Sequence, residues 1–314
     1  MSSPSYGKPT RMTVLLRPRI MSTLFPRLPR DSHPSYWLAL GLGSAAVVVL
    51  AALRLFPVAL IAAALLLPLL VALYLVDVNA YGDEPVWALA LTMGWGAVAG
   101  VGFGLLALAV APSAASVIVN GTSQYVLVQG LVLPFCGLFV LLLGPLVLLR
   151  YQHFNAVLDG VTFGATTGAA FSGAQAITYS AHLIGAGLRP GGAVLPWVWR
   201  LLSLGLGMPI VTMGAAAAAC AALWLRYRAP VRDAEALGAL GHPALALPLA
   251  GLLVAGAAVG ETFLSAGGWL VWLLVFDLVA TSLLAQTIHV GLVEEAAAMD
   301  AGGSSLGSMP GAPS

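Results

Sequence analysis

Charge is what this chain most lacks. Of its 314 residues only 8% are Asp, Glu, Lys or Arg, against roughly 25% in an ordinary soluble domain. Twelve acidic and 13 basic side chains cannot cover the surface of a soluble fold of this length, so the chain is not a soluble globular protein. Lysine is scarcer still, with Lys8 alone beside twelve arginines. The formal net charge of +1 offers no basic face, so no nucleic-acid partner is expected. Cysteine is nearly absent: Cys136 and Cys220 both sit in apolar runs, which excludes a disulfide framework and a thiolate metal cluster.

What is present in excess is hydrophobicity: 60% of the residues, with a mean hydropathy of +0.97. Such a composition excludes intrinsic disorder. The Ala, Gly, Leu and Val bias, with lysine so rare, points to a high-GC bacterial source. Eight apolar stretches, at 36–53, 55–76, 86–111, 124–149, 160–181, 201–225, 243–264 and 267–290, approach or exceed the ~20 residues needed to cross the hydrocarbon layer. A backbone in lipid must satisfy its own hydrogen bonds, so such runs become helices. The fold class expected is therefore all-α, a polytopic membrane helix bundle of about eight transmembrane helices. Arg54 alone separates the first two runs, which predicts a tight helical hairpin over 36–76. The segment 191–200, with Pro196, Trp197, Trp199 and Arg200, reads either as interfacial or as an extension of a long, tilted sixth span.

Residues 1–35 form a basic tail carrying Lys8, Arg11, Arg17, Arg19, Arg27 and Arg30. With that tail inside, Arg150, Arg226, Arg228 and Arg232 are internal too, while Arg54 and Arg189 are external. The ten-to-two bias predicts both termini in the cytoplasm of a bacterial cytoplasmic membrane, with lipid as the first partner. A bundle over 36–292 and a Gly/Ser/Pro-rich flexible tail over 293–314 complete the organisation.

Ionisable groups inside a span cost roughly 2.5–3.5 kcal/mol each on insertion scales, so each is a functional candidate. They are Asp159 at the start of the fifth span, Glu261 near the end of the seventh and Asp277 in the middle of the eighth; Gln175 adds a neutral amide. Asp277 and Glu261 together suit a proton or ion pathway, whereas Asp277 alone suits a polar tie to a Ser, Thr or Gln on a neighbouring helix. Neither a His-Glu-x-x-His pair nor a nucleophile elbow is present, so no metal and no cofactor is expected. Glycine is plentiful at 36 residues. The run from Gly94 to Gly104 and the four-residue spacing of Gly160, Gly164 and Gly168 predict close helix packing, with both helices in the centre of the bundle.

The fifth span reads DGVTFGATTGAAFSGAQAITY, from Asp159 to Tyr179. It resembles the signature helix of the PrsW family of bacterial intramembrane metalloproteases, relatives of the CAAX-processing membrane proteases. The resemblance rests on Asp159, Gly160, Gly164, Gly168, Phe171 and Tyr179. Asp77, Glu84 and Pro85 in LYLVDVNAYGDEPVW, and the MPIVT run from Met208 to Thr212, extend it over about 70–225. It implies a catalytic set of glutamates and a histidine drawn from three helices, the fourth, fifth and sixth, which should then form the central cluster. At those positions this chain has Gly137 and Leu138 for a glutamate pair, Leu141 for a lysine, Gln175 for a further glutamate and Met208 for the histidine. A neutral amide is neither a general base at neutral pH nor a good ligand for a hard cation. The resemblance therefore implies a retained scaffold without its chemistry, a catalytically inactive homologue that binds a transmembrane partner or segment. Two other readings stand beside it: an active protease with a relocated site, and a small-molecule or ion permease.

Overall fold

The computed structural model describes residues 34–77, 86–110, 126–184, 194–228 and 241–306. Among them are eight helices and no strand. In chain order they are α1 Pro34–Ala52, α2 Phe56–Asp77, α3 Val86–Val110, α4 Val126–Leu148, α5 Val157–Ile184, α6 Val194–Tyr227, α7 Pro243–Phe263 and α8 Ala266–Leu306. Every apolar run of the sequence becomes one of these helices, and the chain is an all-α, multi-pass membrane bundle. The basic tail, Glu84, Pro85 and the tail beyond Leu306 lie outside the described residues.

α1 and α2 form the expected hairpin. Arg54 closes it with φ of 61°, a left-handed conformation that costs a non-glycine residue about 1–3 kcal/mol. The Leu55 amide donates back to the Leu50 carbonyl at 2.9 Å and so seals the turn. The 194–200 segment lengthens the sixth span rather than lying apart from it. The resulting helix, 34 residues long, exceeds the ~20 needed to cross and must tilt. α8 likewise continues to Leu306, 41 residues in all, past position 292 where the bundle was expected to give way to a flexible tail. The alanine-rich stretch after Glu294 is a strong helix former and carries the backbone on.

Two of the helices change register part-way. α4 opens with π-type turns over Val126–Val132 before its α-helical part, Leu133–Leu148. α6 has an α-helical start, Val194–Leu202, then π-type turns over Ser203–Gly207, then an α-helix over Met208–Tyr227. In both, a proline stands at the second position after the widened turns, Pro134 and Pro209. Proline has no N–H, so the ladder loses a donor there and the turn before it must find another hydrogen-bond pattern.

α5 is the axis of the bundle, lined by α3, α6 and α2, with α4 and α8 also touching it. Its glycines explain the arrangement. A Cβ on Gly164 would lie 2.5 Å from the Ala216 carbonyl oxygen, and one on Gly168 would lie 2.9 Å from the Met213 Cα, both on α6. Gly160 faces Trp224 and the Cys220 carbonyl on the same helix. On its opposite flank α5 meets Gly96, Gly100 and Gly104 of α3 at Thr167, Phe171 and Thr178. Removing side chains from both flanks lets three backbones approach closely. The central group is thus α3, α5 and α6, not the fourth, fifth and sixth helices that the resemblance implies. The fourth meets the centre through side chains, its Leu138, Leu141 and Leu142 being buried in the core. α3 is also not interior all round: Gly94 and Gly102 have no neighbour within 4 Å, and Val98, Leu105 and Leu106 are exposed.

Candidate functional site

Of the positions that the resemblance aligns with catalytic residues, Gly137 stands against Phe171. Gly137 on α4 is buried, and a Cβ there would stand 3.3 Å from the tip of the Phe171 ring and 3.6 Å from Phe103. The Phe103 and Phe171 rings are 5.9 Å apart, so α3, α4 and α5 meet at this point. Leu138 and Leu141 are buried in the same cluster with Phe171 and Val211, and Met208 packs against it from the first turn after the π segment of α6. Gln175 lies one turn along α5 from Phe171, half-buried, and makes no hydrogen bond among the described residues. Three helices thus deliver a backbone glycine, two leucines, a neutral amide and a thioether. Zinc is held by thiolate, imidazole or carboxylate, and these five residues do not fit it. Among the described residues no three His, Cys, Asp or Glu side chains lie close enough to share one metal ion.

The acidic candidates go elsewhere. Asp159 is in the first turn of α5, where its Oδ2 accepts the Ala156 N–H at 3.0 Å. This is the reach of a helix-capping carboxylate back to the residue before the helix, and it suits the positive end of the helix dipole. Glu294 of α8 joins it: its Oε2 accepts the Val157 N–H at 3.2 Å. The sequence reading missed Glu294, since no spacing rule connects residues 137 positions apart. Nearby, Arg228 donates to the Leu149 carbonyl and ties the end of α6 to the end of α4. Phe154, Phe163 and Trp224 stack edge-to-face beside them, at 5.0 and 5.8 Å.

At the other end of α5, the Arg200 guanidinium lies over the Tyr179 ring at 5.7 Å and within electrostatic reach of Glu261 on α7. Glu261 adjoins Gly260, which packs on Trp272, whereas Asp277 stands five residues beyond Trp272 along α8. Glu261 thus has Arg200 as its charged neighbour, and Asp277 lies by Gly207. Asp277 faces α6 instead. Its Oδ2 lies 3.2 Å from where a Cβ on Gly207 would be. Its Oδ1 is enclosed with no hydrogen-bond partner, so the tie to a neighbouring Ser, Thr or Gln is not made by that oxygen. Of the histidines, His153 packs edge-on against Phe154 at 5.6 Å in the turn before α5. His289 is half-buried on α8.

No family model, curated protein or solved structure matches this chain.

Proposed function

We propose that this multi-pass membrane protein is a catalytically inactive homologue of PrsW-type intramembrane proteases, and that it binds a transmembrane helix of a partner protein. One observation carries the reading. Gly137 of α4 and Phe171 of α5, both matched to the family along the sequence, stand against each other, and Leu138, Leu141 and Met208 belong to the same apolar core of the bundle. The cluster is apolar, so it is suited to contact with a hydrophobic helix and not to activating water: no side chain there can take a proton at neutral pH.

The test is a cleavage assay on the purified chain with a labelled membrane-spanning peptide, with and without EDTA, alongside elemental analysis. The expected result is an intact peptide in both arms and no stoichiometric zinc. Restoring one carboxylate with Gln175→Glu is expected to give no activity, since a single carboxylate has no metal and no base partner. EDTA-sensitive cleavage, or one equivalent of zinc lost on Asp159→Ala or Asp277→Ala, would replace this reading with an active protease whose site has moved.

A further inference from the structure

Most of the buried and half-buried hydroxyls in this bundle follow one habit. Thr166, Thr167, Thr178, Ser180, Thr212 and Thr287 each donate to a carbonyl one turn back in their own helix. That local bond uses the hydroxyl's one donor. Ser203 breaks the habit. It is fully buried, and its Oγ has no partner. It sits at the start of the π segment of α6, where the carbonyl pattern behind it has shifted. Four buried side-chain atoms among the described residues lack a partner, and two of them are Ser203 Oγ, on a π segment that touches both α2 and α8, and Asp277 Oδ1, on α8. Ser203 is one turn from Gly207 on α6, and Gly207 is the residue that faces Leu273 and Asp277. Glycine at 207 lets α6 approach Leu273 and the Asp277 carboxylate closely, where any side chain would collide.

From this we infer that Asp277, Ser203 and the π segment Ser203–Gly207 form an intramembrane site for a single monovalent metal cation, with sodium as the natural candidate. The donors are all hard oxygens: a carboxylate, a hydroxyl, and the one backbone carbonyl that Pro209, which has no N–H, leaves without its ladder donor. Charge sets the valence. One carboxylate at this interface balances one positive charge, whereas a calcium site gathers six to eight oxygens and several acidic groups. An unpaired carboxylate in a span is costly, and a bound cation removes that cost while filling both vacant hydrogen-bonding positions. The ion would fasten α8 to α6 immediately before Met208, so its occupancy sets the spacing of the helix that lines the apolar cluster. This site stands independently of the proposed homology.

The experiment is a thermal unfolding series on the full chain in detergent, at fixed ionic strength and pH, with sodium chloride replaced stepwise by choline chloride. The expected result is a melting temperature that rises with sodium and saturates. Asp277→Asn and Ser203→Ala are each expected to abolish or strongly right-shift that dependence, while Glu261→Gln leaves it unchanged. Radiolabelled sodium binding to the wild type provides a second readout that needs no variant to fold, with one ion per chain expected. A wild-type melting temperature indifferent to sodium at every pH, with no bound label, would overturn the proposal. So would stabilisation that follows acidification alone, which would make Asp277 a proton site, or a sodium response that persists in both Asp277→Asn and Ser203→Ala.

Discussion

At the scale of single residues, the glycines of this bundle divide into those that hold helices together and those that do not. Gly164 belongs to the first kind. A methyl group there would press on the Ala216 carbonyl at 2.5 Å and the Ala217 Cα at 2.8 Å, and backbone cannot swing aside. Gly164→Ala is expected to lower stability by about 1–3 kcal/mol, the usual cost of overpacking, read as a lower melting temperature in detergent. Gly102→Ala, with nothing within 4 Å, is expected to be neutral or to stabilise by up to ~1 kcal/mol through helix propensity alone. Equal losses for the two variants would show that the α5–α6 contact is looser than described. The first kind was legible where the spacing was clean, as at Gly160, Gly164 and Gly168. In the run from Gly94 to Gly104 the same four-residue spacing marks Gly96, Gly100 and Gly104, which pack on α5, while a Cβ on Gly94 or Gly102 would meet nothing. Hydrophobicity could not sort them, because a lipid-facing surface and a helix-facing surface are equally apolar.

At the scale of the element, the first turn of α5 depends on a helix far away in the chain. Its free N–H groups need acceptors, and Asp159 and Glu294 supply two of them. Glu294→Ala is expected to cost about 0.5–2 kcal/mol, as loss of a helix cap does. Hydrogen exchange at the Val157 amide should accelerate by at least severalfold, while the middle of α5 stays protected. Unchanged exchange at Val157 would mean that the bond from α8 is not formed in the bilayer. Half of this arrangement could be read from the sequence, since an acid at the start of an apolar run announces a helix N-terminus. The other half could not, because Glu294 owes its role to how α8 packs beside α5. The same holds for Ser203. Nothing in LLSLGLGMP signals a π segment, although Pro209 marks where a ladder donor is missing.

At the scale of the molecule, the number and order of helices follow from the apolar runs, because lipid leaves the backbone no alternative to a helix. Their neighbourhoods do not, since packing is decided by small residues and not by hydropathy. The distribution of arginine carries one further expectation: both ends of the bundle on the cytoplasmic side. Single cysteines at positions 123 and 228, replacing Ser123 and Arg228 in a chain without Cys136 and Cys220, should read the two faces. Position 123 is expected to react with an impermeant maleimide added to intact cells and position 228 only after lysis. Labelling of 228 from outside would invert the topology.

Six of the helices are long and apolar enough to cross a membrane, and α5 is not among them. Its glycines, threonines and serines suit it to contact with α3 and α6 and ill suit it to bare lipid. That has a consequence for how the protein is made. A nascent chain is delivered from its N-terminal end, so when α5 leaves the ribosome α3 is already in place and α6 does not yet exist. The helix on which the whole bundle is built is therefore the one least able to partition into the bilayer unaided. It has to wait at the translocon, sheltered on one flank, until its second partner is synthesised.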